Sequence, residues 1–261
     1  MIHIFLVFFV LIVLLLILGV SASLGRRFGR SEQKSHPENK LEIVGVAEGA
    51  VFGLLGLLIA FTFSGAYDRY ETRKVHIVDE ANIFDTAYEM IDLVAPKYQP
   101  VLRENIRKYL DLHIASYNDI PYEAKVDGDL EKAIDVQHKI WKTVIAACVE
   151  NSNNGLAQLA IPAMSKMFDM FHAGINMTLI HPPYIIFFLL IGLAALGAFL
   201  VGYNAAENQQ KHPIHVLSYV ILTAFIIYII INLEYSRVGF IRFNSFDQML
   251  MDVREDMNYP G

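Results

Sequence analysis

The 261-residue chain has a single cysteine, Cys148, which excludes an internal disulfide and any cysteine-based zinc site. Charge is also scarce, at 18% of residues against 54% hydrophobic. There is no basic surplus: the formal net charge is −6, whereas a nucleic-acid surface needs excess Lys and Arg to displace counterions. Nucleic acid is therefore not an expected partner. Catalytic signatures are missing too: there is no HExxH, no GxSxG, no GxGxxG after a strand and no glycine loop closing on Gly-Lys-Ser/Thr. Asp127-Gly128-Asp129 has the look of a calcium-loop opening, but the twelfth position is His138 instead of a bidentate Glu, so it reads as a turn. The nine histidines form no close pair on one helical face, and His181 and His212 each stand beside a proline at a membrane boundary. No metal, no cofactor and no enzymatic activity is expected.

What the chain does have is long apolar blocks, with a mean hydropathy of +0.39. Four of them reach the roughly 20 residues that cross a hydrocarbon core. They cover residues 2–24, 43–66, 184–203 and 214–233. Between the second and third lies a charged, periodic segment with few strand signals. Ile77, Ala81, Phe84, Tyr88 and Ile91 recur at three and four, which is one helical face. No Gly or Pro separates this face from the second span beyond residue 66, so one helix is expected to leave the membrane unbroken until Pro96 and Pro100. Further helices are expected over residues 101–117, 129–150 and 156–177, the 129–150 helix closed by the breaker cluster Asn151 to Gly155. The predicted fold is an all-α membrane protein with four transmembrane helices in two pairs and a helical soluble insert between them. Its divisions are residues 1–66, 67–182, 183–233 and a C-terminal tail, 234–261.

The first span has a rival reading as a secretory signal, because Val20-Ser21-Ala22 resembles a small-residue cleavage site. Against it stand the absence of Lys and Arg ahead of the apolar run, the length of that run, and the stop-transfer-like Arg26, Arg27 and Arg30 after it. An anchor is the better reading. Basic residues in the flanks do not orient the chain: Arg26, Arg27, Arg30, Lys34, Lys40 and Lys211 on one side balance Arg69, Arg73, Lys74, Lys166, Arg237 and Arg242 on the other.

The second span carries the most information. Gly45, Gly49 and Gly53 fall at i, i+4 and i+8, and Gly56 and Ala60 continue a small stripe that lets helices approach closely in lipid. Another face presents Leu54, Leu57, Phe61, Ser64 and Asp68. Around an axis of several copies this face makes an apolar neck opening onto polar groups, a geometry that gates ions by dewetting; in a single copy the same Leu and Phe simply face lipid. Glu48 either sits at headgroup level or faces a water-filled vestibule that attracts cations, since a carboxylate inside a span is costly otherwise.

The stretch from Phe61 to Lys74, reading Phe-Thr-Phe-Ser-Gly-Ala-Tyr-Asp-Arg-Tyr-Glu-Thr-Arg-Lys, resembles the end of the second membrane helix of bestrophins. Gly53 to Ser64, with Asp79 to Asn82 and Thr86 to Tyr88, is similar to the bacterial bestrophin-like family of membrane proteins. Leu233, Glu234, Arg237, Gly239 and Ile241 resemble that family's C-terminal pattern. The resemblance covers residues 43–92 and 233–253. It implies a pentameric ion channel of the bacterial inner membrane, passing inorganic ions, with the helical insert in the cytoplasm and Leu57 and Phe61 at the neck. The polar Asn pair that follows the bestrophin neck is replaced here by Phe63, Ser64 and Gly65. A second function class, a non-conducting membrane scaffold or sensor, would dock a partner on the acidic stripe Asp85, Glu89 and Asp92.

Overall fold

A computed structural model describes residues 2–35, 42–119, 123–150, 154–207, 214–236 and 244–259. These residues form α1 (Ile2–Ser35), α2 (Glu42–Glu89), α3 (Gln99–Asp119), α4 (Glu123–Glu150), α5 (Asn154–Leu179), α6 (Tyr184–Glu207), α7 (Ile214–Glu234) and α8 (Asn244–Asp256), with a 3-10 turn at Met90–Leu93 and, among the described residues, no strand. Parts of α1, α2, α6 and α7 are long and apolar enough to cross a membrane. Helix α2 runs unbroken for 48 residues, about 70 Å at 1.5 Å per residue and more than twice the hydrocarbon thickness.

The chain divides into two compact units. The first holds Met1–Tyr70 and His181–Ile241, the second Glu71–Ile180 and Arg242–Gly261. In the first, the principal packing partner of α1 is α6, its neighbour in space but not in sequence. Ser21, Gly25 and Gly29 recur every fourth residue on α1, as do Ala194, Ala198, Gly202 and Ala206 on α6. A methyl group on Gly25 would overlap the carbonyl of Phe199, and one on Gly202 the carbonyl of Ala22. The Ser21 hydroxyl donates to the Ala195 carbonyl at 2.6 Å. This is the small-residue packing that lipid favours, and it falls on α1 and α6, where the sequence reading had not sought it. Of Val20-Ser21-Ala22, Ser21 and Ala22 lie in this helix crossing, while Val20 is exposed.

In the second unit the apolar face read from the sequence is buried: Ile77, Ala81, Phe84 and Ile91 are all at most 2% exposed, and Tyr88 8%. Buried in the same unit are Leu102, Ile106, Tyr109 and Leu110 of α3, Val136, Ile140 and Val144 of α4, and Met164, Met167 and Phe171 of α5, and Phe84 meets the Tyr109 ring at 6.0 Å. Tyr109 meets Phe168 edge-on at 5.5 Å and Phe171 at 5.2 Å, and burial pushes its phenol well above the usual range. Two expectations are corrected here. Asp127-Gly128-Asp129 is not a turn but part of α4, which starts at Glu123; an early glycine costs a helix only about 1 kcal/mol, and acidic residues near the N-terminus favour the helix dipole. The C-terminal segment is no simple tail, for α8 belongs to the second unit. Arg254 grips Asp111 of α3 at 2.7 and 3.1 Å, and the Tyr88 hydroxyl donates to the Met257 carbonyl at 2.7 Å. The breaker cluster 151–153 and the loop residues Lys40, Lys211, His212, Arg237 and Gly239 lie outside the described residues.

Candidate functional site

The candidate pore face lies on the half of α2 that belongs to the first unit. Leu55 and Ala66 are buried there, and Leu58, Ile59 and Tyr70 pack against the same core. The other face is bare. Leu54 is 56% exposed, Leu57 54% and Phe61 69%, and Ser64 and Asp68 are exposed in register below them. The four predicted neck positions and the vestibule position Asp68 therefore share one exposed face, whereas the other vestibule position, Glu48, is half-buried. Other spans also expose apolar side chains, as lipid-facing helices must, for instance Phe188 and Leu189 of α6 and Leu217 and Leu222 of α7. What distinguishes the α2 stripe is its passage from Leu and Phe to Ser and Asp along one line.

The glycines lie beside that stripe. A methyl group added at Gly49, Gly53 or Gly56 would meet nothing within 4 Å, so within the protomer these three pack against no neighbour. Gly45 lies in α2, but its surroundings fall outside the described residues. Glu48 is half-buried and accepts a hydrogen bond from the side-chain amide of Asn204 near the end of α6. That bond gives a carboxylate at the head of a span a polar partner, which reduces the cost of placing it there.

A second group of polar residues, which sequence reasoning did not assemble, holds α2 at the other end of the span. Glu234, the last residue of α7, has a fully buried side chain. Arg69 of α2 donates to it through Nε, 2.8 Å to Oε2 and 3.1 Å to Oε1, and its Nη2 lies 2.7 Å from Oε2. His181 Nδ1 is 3.1 Å from the same carboxylate, and its ring lies 4.5 Å from that of Tyr235. One buried anion thus ties the α2 helix, one turn past Ser64, to α7 and to the residue ahead of Pro182 and Pro183. A cleft of about 230 Å³ beside the clamp is lined by Leu58, Phe61, Thr62, Ile186, Phe187 and Ile230. Phe61 consequently borders unfilled space on one side while lying bare on the other. In the sequence the clamp showed as a charged residue at each of two span ends, both inside the stretches that resemble bestrophins.

The second unit has its own buried polar cluster. Glu80 and His113 are 0% exposed and Tyr117 5%. The Tyr117 hydroxyl donates to Glu80 Oε2 at 3.0 Å, and His113 Nε2 lies 2.8 Å from Oε1, a contact without the direction of a hydrogen bond. His76 approaches the same place, over Gly174, where any side chain would strike the Tyr117 hydroxyl. Among the described residues no group of three or more His, Cys, Asp or Glu is placed to hold a metal ion. All three residues of the acidic stripe, Asp85, Glu89 and Asp92, are exposed, and Asp92 is paired with Arg103.

Membrane-length helices, a helical second unit and a salt-bridged span with one bare face together define a multi-pass helical membrane protein. The family model described as the Bestrophin-like domain matches residues 7–242, and the chain belongs to that family. No curated protein and no solved structure matches the chain.

Proposed function

We propose that this bestrophin-like protein is a homo-oligomeric ion channel, a pentamer by resemblance, whose neck is the bare face of α2. Leu54, Leu57 and Phe61 form the dewetting constriction, and Ser64 and Asp68 the polar exit. The observation that carries this reading is the exposure of those five positions on one line of a helix whose other face is packed and clamped. A ring of such faces excludes water where it is narrow and apolar, so an ion crosses only when the ring widens. Glu48, held by Asn204, lies at the opposite end of the span, where its charge raises the local concentration of cations. The glycine stripe Gly45, Gly49, Gly53 and Gly56, bare in the protomer over its described members, is the natural seat for a neighbouring copy. The second unit is cytoplasmic and the membrane is the bacterial inner membrane.

Flux through liposomes containing the purified protein tests the proposal. Wild type should pass an inorganic anion or cation, and Phe61→Ala should change the rate by widening the neck. A well-folded oligomer that passes neither ion overturns the channel reading. Flux that Phe61→Ala leaves unchanged overturns the neck assignment.

A further inference from the structure

The exposed face of α1 changes from hydrocarbon to cation within about two turns. Leu16 is 60% and Val20 56% exposed. Ser23, Arg27, Arg30 and Lys34 continue the same three-and-four spacing, and all are exposed. The face turned toward α6 cannot receive these cations, because Gly25 and Gly29 there lie against the backbone of Phe199 and Tyr203. Glu32, the acid closest in sequence, instead accepts a hydrogen bond from the Tyr203 hydroxyl at 2.6 Å. Among the described residues no acidic side chain pairs with Arg27, Arg30 or Lys34.

The spacing matches a bilayer surface. Arg27 and Arg30 are about 4.5 Å apart along the helix axis, and the headgroup layer on each side of the hydrocarbon is about 5–7 Å deep. Both guanidiniums therefore lie within one headgroup layer when Leu16 and Val20 lie among acyl chains. Each guanidinium can grip two phosphate oxygens at once, and Lys34 adds a point charge one turn farther out.

We infer that this face of α1 is a binding surface for phospholipids of net negative charge. A zwitterionic headgroup carries its own ammonium, which competes with the arginines for the phosphate; in a net anionic headgroup the negative charge is in excess, and phosphatidylglycerol carries no ammonium at all. The inference does not depend on whether the protein conducts ions.

The test is native mass spectrometry of the full-length protein in detergent, offered phosphatidylglycerol and phosphatidylcholine with identical acyl chains in equal amounts. Wild type should retain several-fold more phosphatidylglycerol, and the preference should shrink as salt is raised. One basic residue beside an anionic surface is worth roughly five-fold in binding, so the preference should be lost in Arg27→Gln/Arg30→Gln. Both positions are exposed, and an unchanged oligomer mass checks that the variant is folded. Lys139→Gln/Lys142→Gln, at exposed positions of the second unit, should keep the wild-type preference. Equal retention of the two lipids by wild type, as when a neighbouring copy covers this face, overturns the inference. So does a preference that persists in the arginine double variant or disappears in the lysine one.

Discussion

Arg69 and Glu234 stand 165 positions apart and share two side-chain hydrogen bonds from one guanidinium nitrogen. The carboxylate is completely buried, while the arginine side chain remains 33% exposed. That asymmetry decides which partner matters more. Desolvation falls chiefly on Glu234, and Arg69 is the charge that makes its burial tolerable. The pair also fixes where α2 stands against α7, and through α2 it sets the position of Phe61 two turns earlier.

Removing one partner should therefore cost more than removing both. Arg69→Leu leaves the Glu234 carboxylate buried without its guanidinium and should destabilise the protein by about 3 kcal/mol, the usual loss when a buried pair is broken from one side. Arg69→Leu/Glu234→Leu should recover a large part of that loss. Thermal unfolding of the purified protein in detergent, across all four members of the cycle, measures the coupling. A double variant no more stable than Arg69→Leu would show that the pair does not act as a unit.

The glycines of α1 and of α2 should behave oppositely. Gly25→Ala inserts a methyl group where the Phe199 carbonyl stands, so α1 and α6 must separate, at about 1–3 kcal/mol. Gly53→Ala meets open space in the protomer and gains up to about 1 kcal/mol of helix propensity. If the α2 stripe seats a neighbouring copy, Gly53→Leu should leave the protomer folded and lower the mass of the oligomer. Unfolding midpoints and light scattering distinguish these outcomes.

Glu80 should be the most sensitive polar position of the second unit. Glu80→Leu takes the carboxylate away from the Tyr117 hydroxyl and the His113 imidazole in a buried site, with an expected loss of about 3 kcal/mol. Tyr117→Phe removes one neutral donor and should cost about 1 kcal/mol. Hydrogen exchange of the α3 amides reports the difference. Equal protection in both variants would mean that the cluster contributes little to holding α2 against α3.

Much of the architecture was legible because both of its signals are local. Apolar runs of span length need only be counted, and the Ile77–Ala81–Phe84–Tyr88–Ile91 face is a period along one helix. The face Leu54–Leu57–Phe61–Ser64–Asp68 was legible for the same reason. Which small residues pack inside the protomer was not. Stripes at four-residue spacing occur on α1, α2 and α6, and only the fold pairs the first with the third, leaving the second bare. The α8 helix went unread as well, since a 13-residue segment has too few turns to stand out until Leu250 within it, and Met257 just after it, find a core to enter.

The sequence by itself determined that the chain crosses a membrane through four helices, and that the second continues past the span without a break. Length and hydropathy suffice for that, because a bilayer accepts only segments that bond their own backbone. Tertiary structure decided the rest. It buried Glu234 and brought Arg69 and His181 to it, gave Glu48 an amide partner in Asn204, and chose which glycines touch carbonyls. Each of these depends on side chains far apart in the sequence meeting in a site that excludes water, and a charge has a defined energy only once its surroundings are built.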